Sequence, residues 1–248
     1  MIDRRKDKGF TLIEILMAVF IGLVLLGAVY VSMTSGQRTS AGVERKVAAQ
    51  QDVRAALNLM AMEISMASFN PNFMSAGSWK KSPKDDPTCT ATSLNPTYKG
   101  IQEATPTSIT VEMDISQNWA IGENNEIIRY AYDAANEYIF RNSNCTGDSS
   151  FLGDDAGAGQ GTRTVRVING TLPINNGKGN GFPAIFRYYD AKSPATELYP
   201  DTTPADIPKI RRIDITLAVA TEEVDPSTKQ ARQMIYSTSV LVRNHALN

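Results

Sequence analysis

The run from Phe10 to Met33 constrains this chain more than any other feature, because its 24 residues contain a single charge, Glu14. The hydrocarbon core of a bilayer requires about 20 consecutive apolar residues in a helix, so a transmembrane helix is predicted over residues 10–33. The basic residues before the run are Arg4, Arg5, Lys6 and Lys8, and the first charge after it is Arg38. The positive-inside rule then predicts a cytoplasmic N-terminus and an exported remainder.

Glu14 is the one residue of this run that is unfavourable in a bilayer. Transfer of a carboxylate into lipid costs a free energy on the order of 3 kcal/mol, so the side chain requires a partner. One interpretation is an interfacial carboxylate that reaches toward the headgroups, and the other is a functional group within the membrane. An ordinary secretory signal has a shorter apolar region followed by a small-residue cleavage site, and no such site is evident after Met33. The span is therefore predicted to be retained.

Residues 8–14, with the sequence KGFTLIE, closely resemble the processing motif of type IV prepilins and type II secretion pseudopilins. The resemblance implies that residues 1–9 are a leader peptide, that a prepilin peptidase/methyltransferase cleaves between Gly9 and Phe10, and that the new amino terminus of Phe10 is methylated. It also implies that Glu14 pairs with the free amino terminus of a neighbouring subunit during assembly.

A single long helix is predicted from Phe10, because no proline occurs before Pro71 and the residue before a proline is pushed out of helical geometry. The outer half of this helix, residues 34–69, carries apolar residues at three- and four-residue steps. They are Val43, Val47, Val53, Leu57, Met60, Ile64 and Ala67. A coiled-coil seam is the alternative to packing on a domain, but the repeat covers few heptads.

Residues 70–248 are predicted to form an exported, β-rich globular domain. Residues 70–106 contain five prolines and predict an irregular region in which Trp79 fills a local cluster. Residues further along alternate with period two, as in strands with one buried face. The predicted strands are 109–115, 128–132, 138–141, 165–168, 171–174, 184–189, 213–219 and 234–242.

Two turns are predicted to join strands of this domain. Asn169-Gly170 is a hairpin signal between 165–168 and 171–174, and residues 225–228 have the turn chemistry of a closing antiparallel hairpin. The inner face of a sheet needs an apolar partner, which the outer half of the helix supplies. The sequence thus predicts an α+β fold with a long N-terminal helix packed on an antiparallel sheet, and this is also the pilin fold that the resemblance implies.

Cys89 and Cys145 both lie in the part predicted to be exported, where disulfides persist. A single disulfide between them is one interpretation, and two independent reduced thiols are the other. The disulfide would pin the region after the helix to the sheet.

No enzyme, cofactor or metal site is predicted. His245 is the only histidine and, so near the C-terminus, is expected to be solvated, so neither a histidine metal site nor a catalytic triad can be assembled. Asp148, Asp154 and Asp155 could bind calcium, but the EF-hand spacing is absent, and an acidic linker between strands is the alternative. The net charge of −1 with dispersed basic residues gives no nucleic-acid footprint.

Three C-terminal stretches, 187–190, 210–213 and 239–244, resemble the order of elements in PilW-type minor pilins and J-type pseudopilins. This resemblance implies a minor subunit that primes or caps a type IV pilus, anchored in the bacterial inner membrane with a periplasmic domain. Its partners would be other minor pilins, the major pilin and the inner-membrane assembly platform, with no small-molecule substrate. The alternatives are a minor pseudopilin of a type II secretion system and an adhesive subunit that functions through loops 70–106 and 142–162.

Overall fold

A computed structural model describes residues 9–93, 95–154, 164–171, 181–222, 224 and 229–246. Its dominant element is helix α1, Leu12–Ser65, which begins after the N-cap residue Thr11. The helix ends at Ser65 with Met66 as its C-cap, four residues before the predicted bound of 69, and the chain then passes through a turn to Pro71. With 54 residues at 1.5 Å each, α1 is about 81 Å long.

The two halves of α1 have different surroundings. Up to residue 48 the described side chains are exposed or half-buried, and full burial begins at Ala49. The buried residues recur at helical spacing and are Ala49, Val53, Ala56, Leu57, Met60 and Ile64. The prediction that Val43 and Val47 pack against the domain with the rest of the apolar stripe was wrong, because their exposed fractions are 57% and 44%. The apolar stripe therefore extends beyond the domain that buries its outer part.

The first sheet is an antiparallel meander of five strands in the order β1-β2-β3-β4-β5. Its strands are β1 Ile101–Ala104, β2 Ser108–Glu112, β3 Ile127–Asp133, β4 Tyr138–Ser143 and β5 Asp148–Leu152. Strands β3 and β4 correspond to the predicted strands 128–132 and 138–141 and pair with Ile128 opposite Ser143 and Asp133 opposite Tyr138. The strands β1 and β5 were not predicted.

The second sheet has the order β10-β9-β7-β8, and β6 pairs with β9 beside β7. Its strands are β6 Val165–Val167, β7 Phe186–Tyr189, β8 Glu197–Leu198, β9 Arg212–Thr221 and β10 Gln233–Leu241. The predicted antiparallel pairing of the last two strands is confirmed in continuous register from Gln233 opposite Ala220 to Leu241 opposite Arg212.

The two predicted hairpins are only partly covered by the described residues, which include Asn169-Gly170. Residues 225–228, the predicted closing turn, are not described, and neither are residues 172–174 of the second hairpin strand. The first strand of that hairpin is present as β6 and pairs with β9. The side chain of Asn169 donates to the carbonyls of Pro183 and Thr216, at 2.9 and 2.8 Å, and so ties the end of β6 to the second sheet.

Helix α1 and both sheets share one hydrophobic core. The sheets are also joined by hydrogen bonds, since the Tyr188 hydroxyl donates to the Thr105 carbonyl at 2.7 Å and the Phe186 amide donates to Pro106 at 3.1 Å. Short 3₁₀ segments complete the described fold at Ala76–Ser78, Pro96–Tyr98, Pro204–Lys209 and Arg243–Ala246. The α+β prediction, a long N-terminal helix packed on antiparallel β-structure, is confirmed.

Candidate functional site at the N-terminus

The first turn of α1 holds the residues singled out by the sequence. The Thr11 amide and hydroxyl both donate to Glu14 Oε2, at 2.8 and 2.9 Å, and the Glu14 amide donates to Thr11 Oγ1 at 3.3 Å. This reciprocal arrangement is a capping box, which satisfies backbone donors that have no partner within the helix. Glu14 therefore has a local function in the single chain, because it defines where the helix begins.

Gly9 and Phe10 precede the cap directly. A Cβ atom at Gly9 would meet no atom within 4 Å. The side chain of Phe10 is exposed to solvent, with an exposed fraction of 84%. Nothing in the fold of the described chain therefore requires glycine at position 9. Any strict requirement for a small residue at position 9 must therefore come from another molecule that binds this segment.

The helical residues behind this site are apolar and exposed on every side of α1. Among the described residues, α1 is the one helix long and apolar enough to cross a membrane, and its most apolar portion is not buried by the domain. Burying this surface in a bilayer is the arrangement that its composition favours. The motif residues thus lie at the N-terminal end of α1, where the helix is apolar. At 1.5 Å per residue, Glu14 is about 77 Å from Ser65.

The cysteines lie beyond the other end of α1. Cys89 Sγ and Cys145 Sγ are 1.95 Å apart, at disulfide distance, with Cα atoms separated by 5.7 Å. Around them a small second cluster buries Met74, Trp79, Ile121 and Ile127, so Trp79 does fill a local cluster as predicted. The pair joins the irregular region after the helix to the turn between β4 and β5.

His245 lies in the interior, and the expectation of a solvated histidine was wrong. Its exposed fraction is 1%, with Nδ1 2.8 Å from Ser68 Oγ and Nε2 2.9 Å from the Ile207 carbonyl. A carbonyl only accepts, so Nε2 carries the proton and Nδ1 accepts from the Ser68 hydroxyl. Burial lowers the pKa of His245 from 6.5 to about 4. This histidine is a neutral structural link.

The calcium alternative finds no support among the described residues, which contain no group of three or more metal-binding side chains. Asp148 lies in β5, where its Oδ1 accepts a hydrogen bond of 2.8 Å from Asn142. Asp154 follows that strand, and Asp155 lies outside the described residues.

Two acids, the half-buried Glu63 and the buried Glu112, have tertiary contacts that the sequence did not predict. Glu63 accepts from Arg141 Nη2 at 2.8 Å and from the Tyr130 hydroxyl, so it ties α1 to the first sheet. Glu112 is fully buried, receives the Lys80 amide at 3.0 Å on Oε2 and has no hydrogen-bond partner on Oε1. Burial raises the pKa of Glu112 well above its ordinary value. Periodicity placed both acids on polar faces, and tertiary contacts bury Glu112 and partly cover Glu63.

Comparison with known proteins adds one match. Residues 4–30 match the family model described as the prokaryotic N-terminal methylation motif. No curated protein and no solved structure matches the chain significantly. The motif implies processing by a prepilin peptidase and assembly with other pilins, and it points to a structural subunit. This motif, at the head of an exposed apolar helix that fits membrane anchoring, supports the superfamily of type IV pilins and pseudopilins.

Proposed function

We propose that this chain is a minor pilin, a structural subunit that primes or caps assembly of a type IV pilus. The observation that carries the proposal is the arrangement at the start of α1. The Gly9-Phe10 pair, the proposed cleavage site, precedes a carboxylate, Glu14, in the first turn of an apolar helix that the domain leaves uncovered. Such a helix is suited to leave the bilayer and pack against other subunits without unfolding the domain.

Cleavage after Gly9 would create a positive amine on Phe10, beside the carboxylate of Glu14. In the single chain that carboxylate accepts the hydrogen bonds of Thr11, which offset part of its desolvation but leave its charge unbalanced. The methylated amine of a neighbouring subunit would supply the opposite charge. An ion pair in a low-dielectric bundle is far stronger than one in water, so each incoming subunit would be held in register by this pair.

The same reasoning gives the location and the partners. The basic leader would keep the N-terminus in the cytoplasm, residues 10–33 would cross the bacterial inner membrane once, and residues 70–248 would form the periplasmic domain. Prepilin peptidase/methyltransferase, the assembly platform, other minor pilins and the major pilin would be its partners. Small residues such as Gly22, Gly27 and Ala28 face open space in the single helix and would allow close helix packing.

Assignment as a minor subunit rests on the domain. The domain has two sheets with long segments between strands, and such a domain would crowd the repeated lateral contacts of a filament shaft. Mass spectrometry of purified filaments, read with a deletion strain, tests this point. Low abundance together with loss of filaments on deletion is expected. A chain that is the most abundant subunit, or whose loss changes neither filament number nor secretion, would refute it. Loss of secretion alone would indicate a type II pseudopilin.

Substitution of Glu14 tests the assembly step. The Glu14→Ala variant should be cleaved and inserted normally but should be missing from sheared filaments. Glu14→Gln is the matched control, because its amide oxygen can still accept from Thr11 and retain the cap while the charge is lost. Exclusion of both variants supports charge pairing. Normal incorporation of Glu14→Gln would show that the cap, and not the charge, is required.

A binding subunit is a second candidate, favoured by two exposed aromatic side chains. Phe73 and Trp119 are 81% and 61% exposed, and both have left-handed backbone angles, φ 54° and 70°, which bulky residues rarely adopt. Asn72 Nδ2 donates to the Gln117 carbonyl at 2.6 Å and joins the two loops. Under this function, alanine at Phe73 and Trp119 would abolish attachment of piliated cells to a surface while filament number stays normal.

A further inference from the structure

Strand β10 forms one border of the second sheet, and its outer edge has no backbone partner among the described residues. The strand has nine residues, Gln233–Leu241, with no charged residue and no proline. Its register with β9 runs without a bulge along the whole strand. A long, flat and uncharged edge is a template for pairing with another strand.

The other sheet borders are protected by the devices that usually prevent such pairing. Strand β1 has an irregular register between Ile101 and Glu103. Strand β5 begins with a charge, Asp148, and its register against β4 is interrupted at Ile139. Strand β8 has only two residues and strand β6 only three. Among the strands that the structure describes, this contrast identifies β10 as the border that is open for pairing.

The hydrogen bonds of β10 define which backbone groups face outward. Thr221 donates to the Arg232 carbonyl at 2.9 Å and Val242 donates to the Arg211 carbonyl at 3.0 Å. In an antiparallel ladder alternate residues bond to the same neighbour, so even-numbered residues of β10 bond to β9. The N–H and C=O groups that face away from β9 belong to the odd-numbered residues Gln233, Ile235, Ser237, Ser239 and Leu241.

A groove runs beside the start of this strand. It has a volume of about 880 Å³ and is lined by Lys46 and Gln50 of α1 and by residues 230–234. Val43 and Val47 lie on the same stripe of α1 as Lys46 and Gln50, since residues three, four and seven apart share one helix face. The groove therefore places an exposed apolar stripe next to an unpaired strand edge.

We propose that this edge and groove receive an extended segment of a second, different pilin-like subunit, which adds as a strand beside β10. Its backbone would pair with the odd-numbered residues of β10. Its inward side chains would be apolar and would cover Val43 and Val47, which the domain leaves exposed. The inference rests on the proposed function, because a neighbouring subunit must be present to supply the segment.

A second copy of this chain is a poor occupant, for geometric reasons. Helix α1 packs on the face of β9 and β10. Antiparallel pairing of two β10 edges requires rotation about the sheet normal, which reverses α1 in the partner. Parallel pairing requires rotation about the strand axis, which puts the two helices on opposite faces of the joined sheet. Neither arrangement brings two anchored helices together in one membrane, so a different edge or segment must pair here.

Photocrosslinking of the full-length chain in piliated cells tests the inference. A photoreactive residue at Ile235 should give a crosslink that maps to one extended segment of another subunit. The same residue at Ser149, exposed on the β5 border, is the control and should give no such product. A crosslink to a second copy, or no crosslink at Ile235 although the chain is recovered in filaments, would overturn the inference.

A proline substitution tests the backbone pairing itself. Ser237→Pro removes an outward N–H and leaves the bonds to β9 intact, whereas Ser237→Ala keeps that N–H. Loss of a ladder bond with added steric conflict corresponds to on the order of tenfold in affinity, so the Ile235 crosslink should fall about tenfold in Ser237→Pro and stay unchanged in Ser237→Ala. Equal crosslinking in both variants would contradict the proposal.

Val47→Glu provides a second test away from the strand, in case Ser237→Pro fails to fold. Its side chain is exposed in the single chain, so the domain should fold normally, yet the crosslink should again fall about tenfold. An unchanged crosslink would contradict the proposal. Filament recovery separates the two proposals: an unsubstituted chain missing from filaments refutes the pilin function, and a recovered chain without the crosslink refutes only the strand addition.

Discussion

Acidification should destabilise the domain through His245, and His245→Gln should remove that effect. The imidazole is neutral in the folded chain, with Nε2–H donated to Ile207 and Nδ1 accepting from Ser68. Burial is the main cause of its low pKa, and the nearby charges of Arg211 and Lys99 lower it further. A proton on Nδ1 would place a buried cation beside a hydroxyl that now donates to it.

The sign and size follow from the two pKa values. The pKa of His245 is 6.5 when unperturbed and about 4 when folded, so the unfolded chain binds the proton first as pH falls. This contribution to stability is fully present above about pH 6.5 and is lost as pH falls toward 4. Between pH 7.5 and pH 5 the expected loss is on the order of 2 kcal/mol, at about 1.4 kcal/mol per pH unit.

Denaturant unfolding of the full-length chain in detergent, followed by tryptophan fluorescence, measures this effect. His245 is the only histidine, but Glu112 titrates in the opposite sense, so the informative quantity is the difference between wild type and His245→Gln. The difference between their free energies of unfolding should decrease by on the order of 2 kcal/mol when the pH is lowered from 7.5 to 5. If wild type and variant lose equal stability on acidification, His245 is not neutral in the fold and the argument fails.

Three further predictions concern other sites. Gly9→Val should block leader cleavage without affecting the fold, since a Cβ there meets open space; N-terminal sequencing that finds normal processing would contradict this. Loss of the pair Cys89 and Cys145, by serine at both, should lower the unfolding free energy by about 4 kcal/mol for a loop of 56 residues; mass mapping of exported protein that finds free thiols would refute the disulfide. Glu112→Gln should raise stability at pH 7.5 and lose its advantage toward pH 4, because the raised pKa makes wild type less stable as pH rises; thermal unfolding at both pH values decides.

The sequence predicted those elements whose signal is local. The long helix α1 was predicted from the absence of proline before Pro71, although it ends at Ser65, four residues before the predicted bound of 69. Strands β9 and β10 alternate with period two and were found. Strand β1 was missed because it ends two residues before Pro106, in a region rich in proline, and β5 was missed because its sequence is mostly polar. Their hydrogen bonds to neighbouring strands, and not their own composition, make them strands.

Burial of polar groups was the other failure. The alternation in β2 predicted one solvated face, but Thr110, Glu112 and Asp114 are all fully buried. Ser82 contacts Thr110 Oγ1 at 2.8 Å and the Lys80 amide binds Glu112, so the region after the helix covers the face that periodicity assigned to water. Contacts between residues this far apart in sequence leave no periodic signal.

The unsupported middle of α1 has a mechanical consequence. Residues 34–48 lie between the apolar run and Ala49, and none of them is fully buried. This segment includes Gly36 and Gly42, and each glycine costs a helix about 1 kcal/mol relative to alanine. When a force is applied along the helix axis, residues 34–48 should therefore unfold before the sheets do. Its 15 residues span about 22 Å as a helix and about 50 Å when extended, so the head of a subunit could travel nearly 30 Å along the load while remaining folded.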